Sequence, residues 1–261
     1  MEWFRRRPRF VSSQTPEISV VMVVYNRRRL TERCLRSLSR ALRGLQSEVI
    51  VVDNASTDST SRYLEGLEGI RVITQITNYG FLRSANEGAF ASSGRAIVFL
   101  NNDTELEADA VRSALRRLES HSDVGVVGAK LVHFNRRLQE LGGRVFDDGT
   151  TSGIGRGEDP AASEYQDVAE VDMVSGAFLL TRAELFREIG GFDERYRPAY
   201  YEDTDYCLEV RKRGMRVLAD PEVVVHHHEF GSSTSRDAAL SAMALNRQKF
   251  CEKWGLGNQR N

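Results

Sequence analysis

Four short runs of mostly apolar, β-branched residues punctuate the first hundred positions, over 20–24, 48–52, 71–74 and 96–100. Their length and content predict buried strands. Between the first two, Leu30, Cys34, Leu35, Leu38 and Leu42 recur with helical period, which predicts an amphipathic helix closed by Gly44. Further helices are predicted over 59–67 and 84–91. The order is β-α-β-α-β-α-β with short polar joints. Right-handed crossovers then build an α/β fold, with a Rossmann-like, mostly parallel central sheet and helices on both faces.

The second half reads less evenly. A helix over 107–119 and a strand over 124–127 are predicted, and then periodicity fades from 130 to 168. Gly142-Gly143, Asp147-Asp148-Gly149 and Gly153-Ile154-Gly155-Arg156-Gly157 predict turns and a mobile loop there. β character returns over 171–180, followed by helices over 183–189 and 202–213, strands over 216–219 and 222–225, and a closing helix over 236–253. The expected organisation is a tail (1–16), one domain (17–235) and a C-terminal helix (236–261) that packs on or extends it.

Buried parallel strands deliver the residues at their ends to the carboxyl edge of the sheet, where open α/β folds bind ligands. The strands here run into Tyr25-Asn26, Asp53 and Asn101-Asn102-Asp103. Asp53 is placed to accept a bond from a nucleobase imino group or a ribose hydroxyl, or to form an Asx-turn. Asp103 offers a hard oxygen to a divalent cation carrying phosphate, or else turns the chain and caps the next helix. The chain has no Gly-x-Gly-x-x-Gly after the first strand and no Gly-x-x-x-x-Gly-Lys-Ser/Thr. A diphosphate must therefore be held by other means, and a metal is the substitute.

Two further clusters carry chemistry. Tyr201-Glu202-Asp203-Thr204-Asp205-Tyr206 packs three carboxylates between aromatics. Acidic residues complement the start of a helix, but crowded carboxylates also resist ionisation, as suits a general base. His226-His227-His228 ends the last predicted strand, where alternate side chains face opposite ways and one or two can meet a cleft. Histidine beside Asp103 favours manganese over magnesium.

Composition narrows the class. The 261 residues carry a formal net charge of −1, which argues against a general nucleic-acid binder. Cys34, Cys207 and Cys251 form neither a disulfide framework nor a zinc motif and fit a reducing, cytoplasmic setting. The longest apolar run, 18–24, is too short to span a bilayer, and Met1 to Phe10 lacks the apolar core of a signal peptide. Trp3, Phe4 and Phe10 interleave with Arg5, Arg6, Arg7 and Arg9, a composition that suits peripheral contact with an anionic inner-membrane face as well as a solvated tail.

From about Ile18 to Ser233 the chain resembles an inverting family-2 glycosyltransferase of GT-A fold, with a smaller acceptor-side subregion and a rhamnosyltransferase-like branch among the options. The strings Val23-Val24-Tyr25-Asn26-Arg27, Val51-Val52-Asp53-Asn54-Ala55-Ser56-Thr57-Asp58 and Asn78-Tyr79-Gly80-Phe81 are similar to the family's nucleotide-binding half. Leu100-Asn101-Asn102-Asp103-Thr104 stands where the family has its DXD-type motif. Ser175-Gly176-Ala177, Gly190-Gly191-Phe192-Asp193-Glu194 and Glu202-Asp203-Thr204-Asp205 resemble the acceptor-side half. The resemblance implies a nucleotide-diphosphate sugar donor (UDP or dTDP) and a glycan or lipid-linked acceptor in cell-envelope or exopolysaccharide synthesis. It implies that Tyr25, Asn26, Asp53, Arg83, Asn101 and Asn102 line the donor site. Asp103 with His227 or His228 would bind the metal: His227 by its spacing from Pro221, His228 by the pattern His-x-x-Gly-x-Ser. Asp203 would be the base, with Asp205 orienting its neighbours or capping the helix. Asn101 replaces the aspartate of many relatives, which lowers the negative charge and makes strict metal dependence less secure. The rival readings are a sugar-1-phosphate nucleotidyltransferase, whose glycine-rich lysine loop is not seen at Tyr25-Asn26-Arg27, and a non-catalytic nucleotide-sugar or glycan-binding module.

Overall fold

The structure is a computed structural model that describes residues 7–229, 231 and 236–257. Trp3, Phe4, Arg5 and Arg6 of the basic tail, and Ser233 of the histidine pattern, lie outside the described residues. Strands β1 (Ile18–Val24), β2 (Ser47–Asp53), β3 (Arg71–Thr74) and β4 (Ala96–Leu100) run parallel in the order β3-β2-β1-β4. Helices α1 (Arg28–Ala41), α2 (Thr60–Glu65) and α3 (Phe81–Phe90) are the crossovers. Strand alternation sorts the core into two layers. Val20, Met22, Val24, Val98 and Leu100 meet Cys34, Leu35 and Leu38 of α1 on one face. Val21, Ile97 and Phe99 meet Leu82, Ala85 and Ala89 of α3 on the other.

The chain continues through β5 (Thr104–Leu106), α4 (Ala110–Ser120), β6 (Val124–His133), β7 (Leu138–Leu141), β8 (Gly143–Val145), β9 (Thr151–Gly153), β10 (Ala169–Glu170), β11 (Phe178–Arg182), α5 (Ala183–Ile189), α6 (Glu202–Lys212), β12 (Arg216–His227) and α7 (Arg236–Trp254). The full sheet path is β10-β12-β6-β11-β4-β1-β2-β3. β11 lies antiparallel between β4 and β6, while β12 is parallel to β6. β1, β2, β3, β4, β6 and β12 thus point one way and β11 points back. The residues that precede β11 therefore stand at the edge where β1, β2 and β4 end. Phe99, Phe186 of α5, Phe192 and Tyr206 of α6 form an aromatic cluster beneath that edge, with centroids 4.6 to 5.6 Å apart.

Several boundaries differ from the sequence reading. The stretch 130–168 holds β7 and the β8–β9 hairpin, not turns alone. The β character expected over 171–180 starts only at Phe178 within β11. The last two predicted strands are one, β12. Pro221 has no N–H to donate, and the pairing with β6 shifts register between Asp220 and Val224 around it. α3 starts at Phe81 rather than 84, because Gly80 at φ +85° turns the chain into it. In the tail, the Phe10 N–H donates to the Glu68 carbonyl at 3.2 Å and the ring packs on the core. Among the described residues no helix is long and apolar enough to cross a membrane.

Candidate active site

Val24 and Asp53 are register partners, so the loops after β1 and β2 leave the sheet side by side. Asn26 and Arg27 both take left-handed backbone (φ 57° and 58°). The Asn26 Oδ1 accepts from the N–H groups of Thr57 (2.7 Å) and Asp58 (3.0 Å), and its own N–H donates to Ser56 Oγ at 2.8 Å. Asp53 is fully buried, its oxygens accepting from the Ser56 N–H (3.0 Å) and the Ser61 hydroxyl (2.6 Å). Both side chains expected at a donor are thus engaged in fixing two loops into one wall, and Tyr25, next to Asn26, is half-buried. Asn102 is likewise buried and donates to Thr31 Oγ1 of α1 at 3.0 Å. Half-buried Asn101 ties β4 to the start of β11, its N–H donating to the Ala177 carbonyl at 3.1 Å. Arg83 stands apart. Its guanidinium lies 4.2 Å over the Tyr79 ring and faces a cleft of about 900 Å³ lined also by Asn86, Glu209 and Lys253, to which neither Asp103 nor Asp203 contributes.

Asp103 is 2% exposed, and its Oδ1 lies 3.4 Å from His227 Nε2. The β5–β12 register sets His227 opposite Thr104, and the His228 N–H donates to the Asp103 carbonyl at 2.9 Å. His227 Nδ1 lies 2.9 Å from Gln139 Oε1 on β7. A proton there, donated to the amide oxygen, leaves the Nε2 lone pair directed at Asp103. Two ligands each about 2.1 Å from one ion lie about 3 Å apart at a right angle, so this oxygen–nitrogen pair fits part of a divalent cation's ligand set. Among the described residues no group of three or more His, Cys, Asp or Glu forms a complete set. The strand alternation separates the other two histidines. His226 Nε2 meets Glu107 Oε1 at 3.1 Å, and the His228 ring stacks on Phe134 at 3.8 Å.

Asp203 opens α6. Its Oδ2 accepts from the Gly176 N–H at 2.8 Å and its Oδ1 from the Thr204 N–H at 2.7 Å. Gly176 precedes Ala177, which holds Asn101, so the base candidate and the Asp103 turn are joined through adjacent hydrogen bonds. Asp53, with β1 between its strand and β4, stands about 10 Å along the same edge. Burial raises the Asp203 carboxyl above its ordinary range, against the pull of the two N–H donors. Glu202, also buried, is pushed up well beyond it by burial and by the charge of Asp203. Glu140 of β7 is raised to about 8, first by burial and then by Asp203. Asp205 faces away: its carboxylate accepts from the Tyr196 hydroxyl (2.9 Å), Trp254 Nε1 (2.8 Å) and Lys253 Nζ (2.8 Å).

Gln139 and Glu140 are the site residues that pattern reading misses. The four-residue β7 is too short to show a period, and nothing local marks either residue. Asp103, Gln139 and His227 form one linked group and Gly176, Asp203 and Glu140 a second, joined through Asn101 and Ala177 at the carboxyl edge of the sheet. The first is suited to holding a cation and the second to drawing a proton from a hydroxyl.

Comparison with known proteins gives the setting. The profile of glycosyl transferase family 2 matches residues 19–190. The O-antigen biosynthesis protein RfbC of Myxococcus xanthus is 28% identical over 87% of this chain and 18% of its own length. The N-acetylglucosaminyl-diphospho-decaprenol L-rhamnosyltransferase of Mycobacterium tuberculosis is 26% identical over 90% of this chain and 83% of its own. The chain spans 27% and 18% of the length of the first two curated relatives it matches. Among solved structures, GalNAc-T7 with UDP, GalNAc and Mn2+ superposes with a TM-score of 0.65 at 13% identity, covering 82% of this chain and 44% of that one. At that identity the likeness speaks for the fold.

Proposed function

This chain belongs to glycosyltransferase family 2 on a GT-A fold, and from that premise we propose that it moves a glycosyl group from a nucleotide-diphosphate sugar to an acceptor hydroxyl with inversion. The observation that carries the reading is Asp203, a half-buried carboxylate anchored on the Gly176 N–H and joined to the turn where Asp103 faces His227. Asp203 takes the proton of the acceptor hydroxyl as that oxygen attacks the anomeric carbon in line with the departing diphosphate. Its raised affinity for a proton suits it to that transfer. Asp103 and His227 would hold a divalent cation, manganese being favoured by the mixed oxygen–nitrogen pair, and Gln139 keeps the imidazole in the ligating tautomer. When bound, the cation supplies charge neutralisation for the diphosphate leaving group. The wall built by Asn26, Asp53 and Ser56 faces the nucleotide with Tyr25. The relatives' names, an O-antigen protein and a decaprenol-linked rhamnosyltransferase, support a cell-envelope glycan or lipid-linked acceptor.

The test is Asp203→Asn assayed against a panel of nucleotide sugars with manganese. Turnover should fall by about 10²–10⁴-fold while donor affinity stays within about twofold, because the group acts on the acceptor. Wild-type turnover in this variant refutes the assignment.

A further inference from the structure

The family profile ends at residue 190, yet the base candidate, the imidazole and α7 all come later in the chain. The segment that presents Asp203 is backbone-strained. Tyr200 and Tyr201 both sit at positive φ (78° and 73°), a region bulky L-residues rarely adopt. Such a turn persists only where its surroundings hold it, and here the holder is α7. Asn246, 1% exposed, aims its amide into the turn and donates to the carbonyls of Tyr196 (2.6 Å), Ala199 (2.9 Å) and Tyr200 (3.0 Å). Lys249 Nζ orients that amide, donating to Asn246 Oδ1 at 2.9 Å and to the Arg195 carbonyl at 2.6 Å. One turn on, the Phe250 ring packs 5.1 Å from the Tyr201 ring. At the end of α7, Lys253 and Trp254 bind the Asp205 carboxylate, two residues beyond Asp203. Asp203 is thus flanked on both sides by contacts from one helix.

We propose that α7 is a working part of the catalytic centre, with Asn246 as the positioning residue that sets the 196–201 turn and, through it, the Asp203 carboxylate. This rests on the reading of Asp203 as the base. Three carbonyls converging on one amide lose that shared donor when it is removed, and the strained turn then relaxes. Asp203 loses its alignment with the acceptor hydroxyl, while the loops after β1 and β2, which α7 does not touch through these bonds, keep their donor wall. Near-attack geometry is steep: a misplacement of about 1 Å costs about 10²-fold in rate.

The experiment compares Asn246→Ala, the near-isosteric Asn246→Asp and the milder Lys249→Ala with wild type by kcat, donor Kd and hydrogen–deuterium exchange. Both Asn246 variants should lose at least about tenfold in kcat and Lys249→Ala about threefold, with donor Kd within about twofold in all three. Exchange should rise over 196–206 and stay unchanged in β1 and β4. Where an Asn246 variant fails to fold, Lys249→Ala carries the same test. Unaltered exchange over 196–206 overturns the hold, and raised exchange with wild-type kcat overturns its catalytic role. A donor Kd that weakens in step with kcat means general destabilisation and also overturns the proposal. Turnover retained by Asp203→Asn instead sinks the base reading and is distinguishable from all of these.

Discussion

Glu140 gives a quantitative handle on the electrostatics around Asp203. Its carboxyl is raised from 4.5 to about 8 in the folded chain, chiefly by burial. Between those two values the unfolded chain has lost the proton and the folded chain retains it, so the native state binds more protons. Stability contributed by this group is therefore present below pH 4.5 and declines as pH climbs through that window, at up to about 1.4 kcal/mol per pH unit. Across the whole gap the ceiling is about 5 kcal/mol; Glu140 is only partly buried and Arg156 lies near, so about 2–4 kcal/mol is the reasoned loss. Glu140→Gln keeps the shape and removes the titration. The measurement is urea unfolding of both proteins at pH 5, 6.5 and 8.5 with chelator present. The variant should match wild type within about 1 kcal/mol at pH 5 and exceed it by about 2–4 kcal/mol at pH 8.5. Parallel stability curves for the two proteins would refute the assignment of a protonated Glu140 facing Asp203.

Gln139→Leu strips the imidazole of its orienting acceptor, and manganese affinity measured by calorimetry should drop about 10- to 100-fold; an unchanged affinity counts against His227 as a ligand. Asp103→Ala should weaken donor binding at least about tenfold with manganese and little with chelator, so equal losses in both conditions would remove the metal from the account. Phe99→Ala, within the aromatic cluster, should cost about 3–5 kcal/mol in denaturant unfolding, and a loss under about 1 kcal/mol would show that the layer beneath the edge repacks freely.

The elements that the hydrophobic pattern could reveal were those with long, one-sided burial. The core of β1, β2 and β4 and the α1 stripe show up because continuous apolar runs and a helical period are forced by two covered faces. β7, β8 and β9 escape because strands of three or four residues, held by glycine turns, carry no period to detect. The merging of two expected strands into β12 was hidden by Pro221, whose effect is a bulge and not a break. At the candidate site, Asp103, Asp203 and His227 draw attention in the sequence because each stands in a cluster of amides, carboxylates or imidazoles at the end of an element. What their neighbours do is not: Asp53, Asn26 and Asn102 look like ligand-facing groups, yet the structure engages them in loop bonds that join distant segments. Gln139 and Asn246 act through partners 88 and 50 residues away, a relation no local spacing encodes.

The reversal of β11 has an architectural corollary. β6 finishes at the carboxyl edge of the sheet and β11 sets out from it, so the excursion between them departs from and comes home to the same edge. A parallel crossover must travel the height of the sheet and needs a helix of matching length; this excursion is under no such constraint. Doubling its length would add only about 0.6 kcal/mol of closure entropy. Its ends carry Gln139, Glu140 and Gly176 and are tied to the candidate site, so any change of length belongs between them.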